Sequence, residues 1–198
     1  MKKDNYSSDP FIPAMLQQVA AGDQAAFRKI YGFYFKRLYH FAFAFVKTKE
    51  TAEEIAEDVF IRIWQQRTGL GSIRNLKVYL YTATKNAALN YLSRKARENI
   101  TEPFDHIHIA MISPGLSPEQ ILVTSEMYKK VQEAVEALPP RCKMIFKLIR
   151  EDNLKYKEVS EILNISVNTI DAQMAIAVKR IAAALHIDLR LNRRSEVK

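Results

Sequence analysis

The chain has 198 residues, a formal net charge of +8, and 48% hydrophobic and 26% charged residues. These proportions exclude a disordered or fibrous chain, and the length is enough for one large or two small hydrophobic cores. Met1-Lys2-Lys3 is followed by polar residues, no run approaches the roughly 18 apolar residues that span a bilayer, and the single Cys142 cannot form an internal disulfide, which together predict a soluble cytoplasmic protein.

Apolar residues recur at helical spacing almost throughout, and there are only five glycines, so the sequence predicts an all-α fold. A first helix is expected from Pro13 to about Gly22, because proline is tolerated at the first helical position. Asp23 is expected to cap a long second helix. The apolar positions of that helix are Phe27, Ile30, Tyr31, Tyr34, Leu38, Phe41, Phe45 and Val46.

A third helix is expected to open with a capping box formed by Thr51 and Glu54. Its predicted buried stripe consists of Ala52, Ile55, Ala56, Val59 and Ile63. The opposite face then carries Glu54, Glu57, Asp58 and Ile61, in a stretch from 50 to 61 that has no Lys or Arg.

The next stretch, 59–97, has the opposite character: eight basic residues, five aromatic residues and no Asp or Glu. At the chain's own frequency of 22 acidic residues in 198, roughly four would be expected there. An ordinary basic face is one explanation, but the acidic block beside it indicates two surfaces for two different partners, and the basic surface suits a partner that carries phosphate groups.

Residues 67–75 break the helical pattern and predict a loop, after which Asn75 caps a fourth helix running to about Lys95. Cations follow a nucleic-acid backbone and aromatic faces stack on unpaired bases, so this region suits single-stranded or melted DNA. Of its tyrosines, we expect Tyr79 to be exposed and Tyr81 or Tyr91 to be buried. The candidate DNA-binding residues here are Arg67, Arg74, Lys77, Tyr79, Lys85, Asn86 and Asn90.

Proline and glycine then mark a flexible linker over 98–118, which has a net charge of −3 between parts carrying +8 and +3. The predicted domains are therefore 10–97 and 119–186. In the second domain we expect helices from about Pro118 to Ala137 and from Arg141 to about Arg150.

A helix-turn-helix follows: a short helix at 157–163, a turn at Asn164-Ile165, a cap at Ser166 and a longer helix from Val167 to about Leu185. Its predicted apolar contacts are Val159, Leu163, Ile165 and Ile170, with the small Ser160 at the helix crossing. A plain corner between two helices would show the same periodicity.

A helix-turn-helix binds DNA by placing its second helix in the major groove. The candidate base-contacting residues are Asn168, Thr169, Ala172 and Gln173, and the candidate phosphate-contacting residues are Lys155, Tyr156, Lys179 and Arg180. Asp171 is unfavourable there unless it accepts from a cytosine amine or a nearby cation.

Two blocks of the sequence resemble the extracytoplasmic-function (ECF) sigma factors of the sigma-70 superfamily. The first block resembles sigma domain two in Gly22-Asp23, Ala26-Phe27, Ala52-Glu53, Asp58-Val59-Phe60, Trp64, Tyr79-Leu80-Tyr81, Lys85-Asn86 and Asn90-Tyr91-Leu92. The second resembles sigma domain four in Leu138-Pro139, Glu158-Val159-Ser160, Leu163 and Ser166-Val167-Asn168-Thr169-Ile170. The resemblance covers about residues 10–186, and the order of the two blocks is more specific than either block.

The resemblance implies a sigma factor that binds core RNA polymerase and directs promoter recognition, melting and transcription initiation. It implies that Glu54, Glu57, Asp58 and Ile61 dock on the clamp coiled coil of the polymerase, that the loop and fourth helix read the minus-ten element with Asn86 near the captured base, and that the helix-turn-helix reads the minus-thirty-five element. Thr82, Asp171 and Ala172 depart from many members, so promoter sequence does not transfer. Sequestration by an anti-sigma factor is a further expectation of the resemblance.

Other classes of function fit less well. Helical di-metal sites use a Glu-x-x-His motif that is absent, and His106 and His108 lie in the linker without further ligands, so we expect no enzyme, no metal and no cofactor. A free-standing helix-turn-helix regulator is the main alternative. It does not explain the acidic stretch 50–61 or the stretch 59–97 that has no Asp or Glu. An adaptor or anti-sigma protein would need neither DNA surface.

Overall fold

The computed structural model describes residues 13–98 and 125–186. Within these ranges the chain forms eight α-helices and one short 3-10 helix, without a strand, which confirms the expected all-α fold. They fall into two compact units, the first holding the helices up to residue 98 and the second most of those after 125. The predicted linker 98–118, the two histidines in it and the predicted helix start at Pro118 lie outside the described residues, apart from Glu98 at the end of a helix.

The first two helices of unit one are α1 (Pro13–Ala20) and α2 (Gln24–Val46). Asp23 caps α2 as predicted: its carboxylate accepts hydrogen bonds from the backbone N–H groups of Ala25 and Ala26, at 2.8 and 3.2 Å. Gly22 supplies the turn between the helices with a φ of +95°, a conformation that L side chains rarely adopt.

Helix α3 spans Lys49–Gln65, and the capping box predicted at Thr51 is wrong. The helix begins earlier because Thr48 takes the extended N-cap conformation, which places Thr51 inside the first turn. There the Thr51 hydroxyl lies 3.4 Å from the hydroxyl of Tyr91. The predicted buried stripe is confirmed, since Ala52, Ile55, Ala56, Val59 and Ile63 are all buried.

The segment predicted as a loop instead contains a 3-10 helix, Arg67–Ser72, followed by α4, Leu76–Glu98. The side chain of Leu70 is buried, and this apolar anchor holds the short helical turn against the unit. The side-chain carbonyl of Asn75 accepts a hydrogen bond from Val78 N–H at 3.1 Å, so Asn75 caps the start of α4 as expected.

Helix α2 forms the centre of unit one and packs against both α3 and α4. Tyr34, Leu38 and Phe41 are fully enclosed on α2, and Tyr81 of α4 meets Phe41 edge-on at a centroid distance of 5.1 Å. Helices α3 and α4 therefore both pack on α2 with one face and expose the other.

Unit two begins in the described chain with α5, Ser125–Glu136, and α6, Pro140–Arg150. Both pack against the last helix, α8, Val167–Ala184. Two lysines of α6, Lys143 and Lys147, are buried, and both donate to the carboxylate of Glu136 on α5, at 3.1 and 2.7 Å. The two cations are thus compensated by one carboxylate at the α5–α6 junction.

The helix-turn-helix consists of α7, Tyr156–Leu163, a turn and α8. Asn164 has a φ of 55°, the left-handed conformation that the sequence predicted for it, and the Ser166 hydroxyl accepts from Thr169 N–H at 3.0 Å. The Ser160 hydroxyl donates to the carbonyl of Ile165 at 2.6 Å and holds the turn closed. Among the predicted apolar contacts, Val159 and Ile170 are fully buried, whereas Leu163 and Ile165 are only half-buried.

Candidate protein and nucleic-acid interfaces

The outer face of α3 carries three acidic side chains and one apolar side chain that we together call the acidic ridge: Glu54, Glu57, Asp58 and Ile61. All four residues are exposed, and Ile61 has 51% of its surface accessible, which is high for an isoleucine on a helix whose other face is in the core. Their spacing of three and four residues places them on one side of the helix. The ridge therefore presents carboxylates around an apolar side chain.

An apolar groove of about 390 Å³ lies between α2 and α3 and shares Glu57 and Ile61 with the ridge. Its aromatic wall is continuous: Phe27 meets Trp64 at a centroid distance of 4.9 Å, and Tyr31 meets Phe60 at 4.8 Å. The lining residues are Phe27, Tyr31, Glu57, Phe60, Ile61, Trp64 and Gln65.

The groove is electrostatically negative at its rim. Partial burial, and then the charges of Glu57 and Glu53, raise the pKa of the Tyr31 phenol above its ordinary value of 10.0. The groove was not predicted, because Phe27 and Tyr31 fit the apolar period of α2 and were assigned to the core. Both are half-buried, and nothing in the helical period distinguished them from core positions.

On α4, three of the predicted DNA-binding residues share one exposed face: Tyr79, Asn86 and Asn90. Their spacing of seven and four residues returns each side chain to the same side of the helix, over a length of about 16 Å. Lys77 and Lys85 are half-buried and lie on other sides of α4, so the structure does not bring them into this row. Tyr81 is fully buried and Tyr79 is exposed, as predicted.

The two arginines of the predicted loop differ in their surroundings. Arg74 is exposed. Arg67 is half-buried: its guanidinium donates to the carbonyl of Trp64 at 3.0 Å and stacks over the Trp64 ring at 4.8 Å from the centroid. The charge of Arg67 is therefore held at one position rather than free to follow a ligand.

In unit two, Asn168 and Ala172 are exposed on α8, whereas Thr169 and Gln173 are half-buried. The Thr169 hydroxyl lies 2.8 Å from that of Ser166, so this residue takes part in the helix cap. The predicted phosphate contacts Lys155, Lys179 and Arg180 are exposed, and Tyr156 is half-buried. In the described ranges no group of three His, Cys, Asp or Glu residues could hold a metal ion, and no helix there is long and apolar enough to cross a membrane.

Comparison with known families and structures agrees with this arrangement. The family described as Sigma-70 region 2 matches residues 30–98, and the family described as Sigma-70, region 4 matches residues 128–181. The chain is 26% identical over 170 residues to the ECF RNA polymerase sigma factor SigW of Bacillus subtilis, covering 82% of this chain and 90% of that protein. It is 22% identical over 166 residues to the ECF RNA polymerase sigma-E factor of Escherichia coli K12, covering 81% and 86%.

Two solved structures share the fold. One is the sigma factor RpoE in complex with the anti-sigma factor NepR from Bartonella quintana, with a TM-score of 0.54, 20% identity and coverage of 82% of this chain and 98% of that chain. The other is CnrH in complex with the cytosolic domain of CnrY, with a TM-score of 0.52, 15% identity and coverage of 88% and 96%.

A helical unit with an acid-free face, followed by a helix-turn-helix unit and matched in order by sigma regions two and four, defines a sigma-70-type transcription initiation factor. The chain belongs to the ECF sigma factors of the sigma-70 superfamily. It directs promoter recognition and transcription initiation, and the alternative of a free-standing regulator is not favoured.

Proposed function

We propose that the chain divides its work among sigma domain two at 10–97, a linker at 98–118 and sigma domain four at 119–186. The family matches at 30–98 and 128–181 fall within or one residue beyond the proposed domains. The observation that carries the proposal is the exposure, on one helical support, of an acidic ridge on α3 and an acid-free face on α4. Two surfaces of opposite charge on one small unit suit a protein that holds a polymerase and DNA at once.

The acidic ridge binds core RNA polymerase. Glu54, Glu57 and Asp58 attract a basic partner surface, and the adjoining aromatic groove is large enough to take an apolar side chain of that partner. Such a buried anchor surrounded by charges is the usual composition of an interface hot spot.

The experiment that tests this proposal measures binding of the purified chain to core polymerase. Asp58→Arg is expected to weaken binding at least about tenfold, or about 1.4 kcal/mol, because it places a cation opposite a basic partner. Glu161→Arg makes the same change of charge at an exposed position of α7 and serves as the matched control. Equal affinities of the two variants would contradict the assignment, and no complex with the wild-type chain at micromolar concentration would contradict the sigma function itself.

The exposed row of α4 binds the minus-ten element as it melts. Tyr79 offers an aromatic face for an unpaired base, while Asn86 and Asn90 offer amides for its hydrogen-bonding edge. Arg67 in the 3-10 helix and Arg74 just before α4 contact the DNA backbone, with Lys77 and Lys85 contributing charge from the sides of the helix. The carrying observation is the shared exposed face of Tyr79, Asn86 and Asn90.

Unit two binds the minus-thirty-five element through α8. Asn168, Thr169, Ala172 and Gln173 lie in its first two turns, where a recognition helix contacts base edges. Lys155, Tyr156, Lys179 and Arg180 contact phosphates on either side.

The chain acts by binding rather than by catalysing a reaction, and its site of action is the cytoplasm, where the polymerase is found. The two solved relatives are each in complex with a partner protein, an anti-sigma factor in one and the cytosolic domain of CnrY in the other. An anti-sigma factor is accordingly the class of regulator we propose for this chain.

A further inference from the structure

The part of α8 that would contact base edges, from Val167 to Val178, is nearly uncharged. From Val167 to Val178 the helix has one ionisable side chain, that of Asp171, and no Lys or Arg. The first cations on α8 are Lys179 and Arg180, more than three turns from its start. A DNA-binding helix without a cation in its leading turns cannot make the commonest specific base contact, that of Arg or Lys with guanine.

The orientation of α8 shows which residues occupy the reading position. Ile170, Met174 and Ala177 are buried against the rest of unit two. The side opposite to them carries a row at spacings of four, three and four residues, and every member of the row is exposed. The row consists of Asn168, Ala172, Ala175 and Lys179.

Two exposed side chains flank this row. Ile176, with 40% of its surface accessible, adds an apolar group on one side, and Asp171 adds a carboxylate on the other. Gln173 is half-buried at the edge of the face. Apart from Lys179 at the end of the row, this face is thus made of amide, methyl and aliphatic groups with one carboxylate.

The exposed cations of the helix-turn-helix lie outside the first three turns of α8. Lys155 and Lys157 are exposed at the start of α7, and Lys179 and Arg180 are exposed late in α8. This distribution supplies phosphate contacts without placing a cation over the bases. The residues that can contact DNA phosphates are therefore different from those that can contact base edges.

Each group on the face has a preferred base. Asn168, and Gln173 at the edge, pair bidentately with adenine, while the methyl of Ala172 or Ala175 and the side chain of Ile176 contact the thymine methyl. Asp171 can only accept, and the usual base partner of a carboxylate is the amine of cytosine. No group between Val167 and Val178 can donate two hydrogen bonds to guanine as Arg does.

We propose that domain four of this chain selects a minus-thirty-five element made of A·T pairs, with at most one C·G pair beneath Asp171. The proposal rests on the proposed function, because it assumes that α8 enters the major groove of promoter DNA. It specifies the base composition that this helix selects, which the membership of the family leaves open.

The test uses holoenzyme reconstituted from the full chain and core polymerase, after formation of the complex has been checked by co-elution. Holoenzyme is incubated with duplexes carrying a random upstream region, and the retained sequences are counted. We expect an upstream block in which A·T pairs are enriched about fivefold or more at several positions. Selection of G·C pairs at two or more positions of that block would overturn the proposal.

Two variants show which block α8 reads. Ala172→Arg places a guanidinium in the exposed row and is expected to change one position of the upstream block from A·T to G·C. Ala183→Arg adds the same charge at an exposed position beyond Lys179 and Arg180 and is expected to leave the selected sequence unchanged. An upstream block that is unaltered in Ala172→Arg would also overturn the proposal.

Failure of the proposed function gives a different result. If the wild-type holoenzyme forms but enriches no sequence, promoter recognition itself fails and the inference fails with it. If it enriches only a block that responds to Asn86→Ala and not to Ala172→Arg, domain two reads DNA as proposed and the inference about α8 is wrong.

Discussion

The thiol of Cys142 on α6 donates a hydrogen bond to the backbone carbonyl of Gln173 on α8, with a distance of 3.2 Å between sulfur and oxygen. This contact links the interior of unit two to the turn of α8 that carries the candidate base-contacting residues. Burial raises the pKa of the Cys142 thiol above 9.0, although the charge of Arg180 opposes this. The cysteine is therefore a structural residue of the DNA-binding unit.

Cys142 should resist alkylation in the folded protein. Its side chain is 1% exposed and its raised pKa keeps the thiolate fraction small, so reaction with iodoacetamide at pH 8 should be at least about tenfold slower than in the denatured chain. Mass spectrometry of timed samples measures the rate. Ser93→Cys in a Cys142→Ala background provides an exposed reference on α4. Equal rates at positions 142 and 93 would be incompatible with the described packing.

Glu136→Gln should destabilise unit two. The substitution removes the carboxylate that accepts from both Lys143 and Lys147, whose side chains are 7% and 5% exposed, and it leaves the charge of Glu151 near Lys147. We expect a loss of about 1–3 kcal/mol in the free energy of unfolding. Glu133→Gln, at an exposed position on the same helix, is the control.

The single tryptophan separates the two units in this measurement. Trp64 lies in unit one, so its fluorescence during urea unfolding reports that unit, whereas helical ellipticity reports both. Glu136→Gln should shift a transition seen by ellipticity and leave the fluorescence transition in place. A shift of the fluorescence transition instead would show that the substitution acts on unit one.

The same carboxylate gives unit two a defined dependence on acid. Partial burial raises the pKa of Glu136, but the hydrogen bonds and charges of Lys147 and Lys143 outweigh it and hold the pKa below 4.5. Because the folded pKa is lower than the unfolded one, the contribution to stability is complete above the unfolded value and disappears as pH falls through the folded value. Unfolding curves of wild type and Glu136→Gln should therefore converge as pH falls below about 4.3. A constant difference between them across that range would refute the linkage.

Asn164→Ala should lower stability by about 1 kcal/mol, since alanine has no local hydrogen bond to offset the left-handed φ of 55°. Asn164→Gly should be close to neutral, because glycine takes this conformation without a steric cost. Asn90→Ala, within the right-handed helix α4, is the comparison. Thermal unfolding followed by circular dichroism gives the order, and a destabilised glycine variant would contradict the backbone argument.

Asn86→Ala should impair promoter opening. Removal of the exposed amide takes away hydrogen bonds to an extruded base, and retention of minus-ten single strand by the holoenzyme should fall about fivefold or more. Gln18→Ala removes an exposed amide from α1 and should have no effect. Permanganate footprinting measures opening, and normal footprints with Asn86→Ala would withdraw this residue from the site.

The preference of Asp, Asn and Ser for the N-cap position correctly predicted the helix starts at Asp23, Asn75 and Ser166. Each of these caps depends only on one side chain and the backbone N–H groups of the next turn. The rule failed at Thr51, where the same residue types occur but the extended conformation of Thr48 sets the start of the helix. The sequence shows which residues can cap a helix, but not that this helix begins earlier, after Thr48, whose side chain makes no capping hydrogen bond.

Features that depend on packing between helices were harder to predict. The aromatic period of α2 marked Phe27 and Tyr31 as core, yet the gap left between α2 and α3 exposes them in a groove. Lys143 and Lys147 were unexpected in an interior, because lysine is seldom buried without a partner and their partner, Glu136, is on another helix. By contrast, the exposed ridge of α3 followed directly from the helical period.

The indole of Trp64 belongs to two surfaces at once: it lines the groove beside the acidic ridge, and it supports the guanidinium of Arg67. Any substitution of this ring therefore disturbs the apolar groove and the position of the Arg67 guanidinium together. A substitution of Ile61 alters only the acidic ridge and its groove, and a substitution of Arg74 alters only the region before α4. Mutations that are meant to separate the two surfaces should therefore leave Trp64 unchanged.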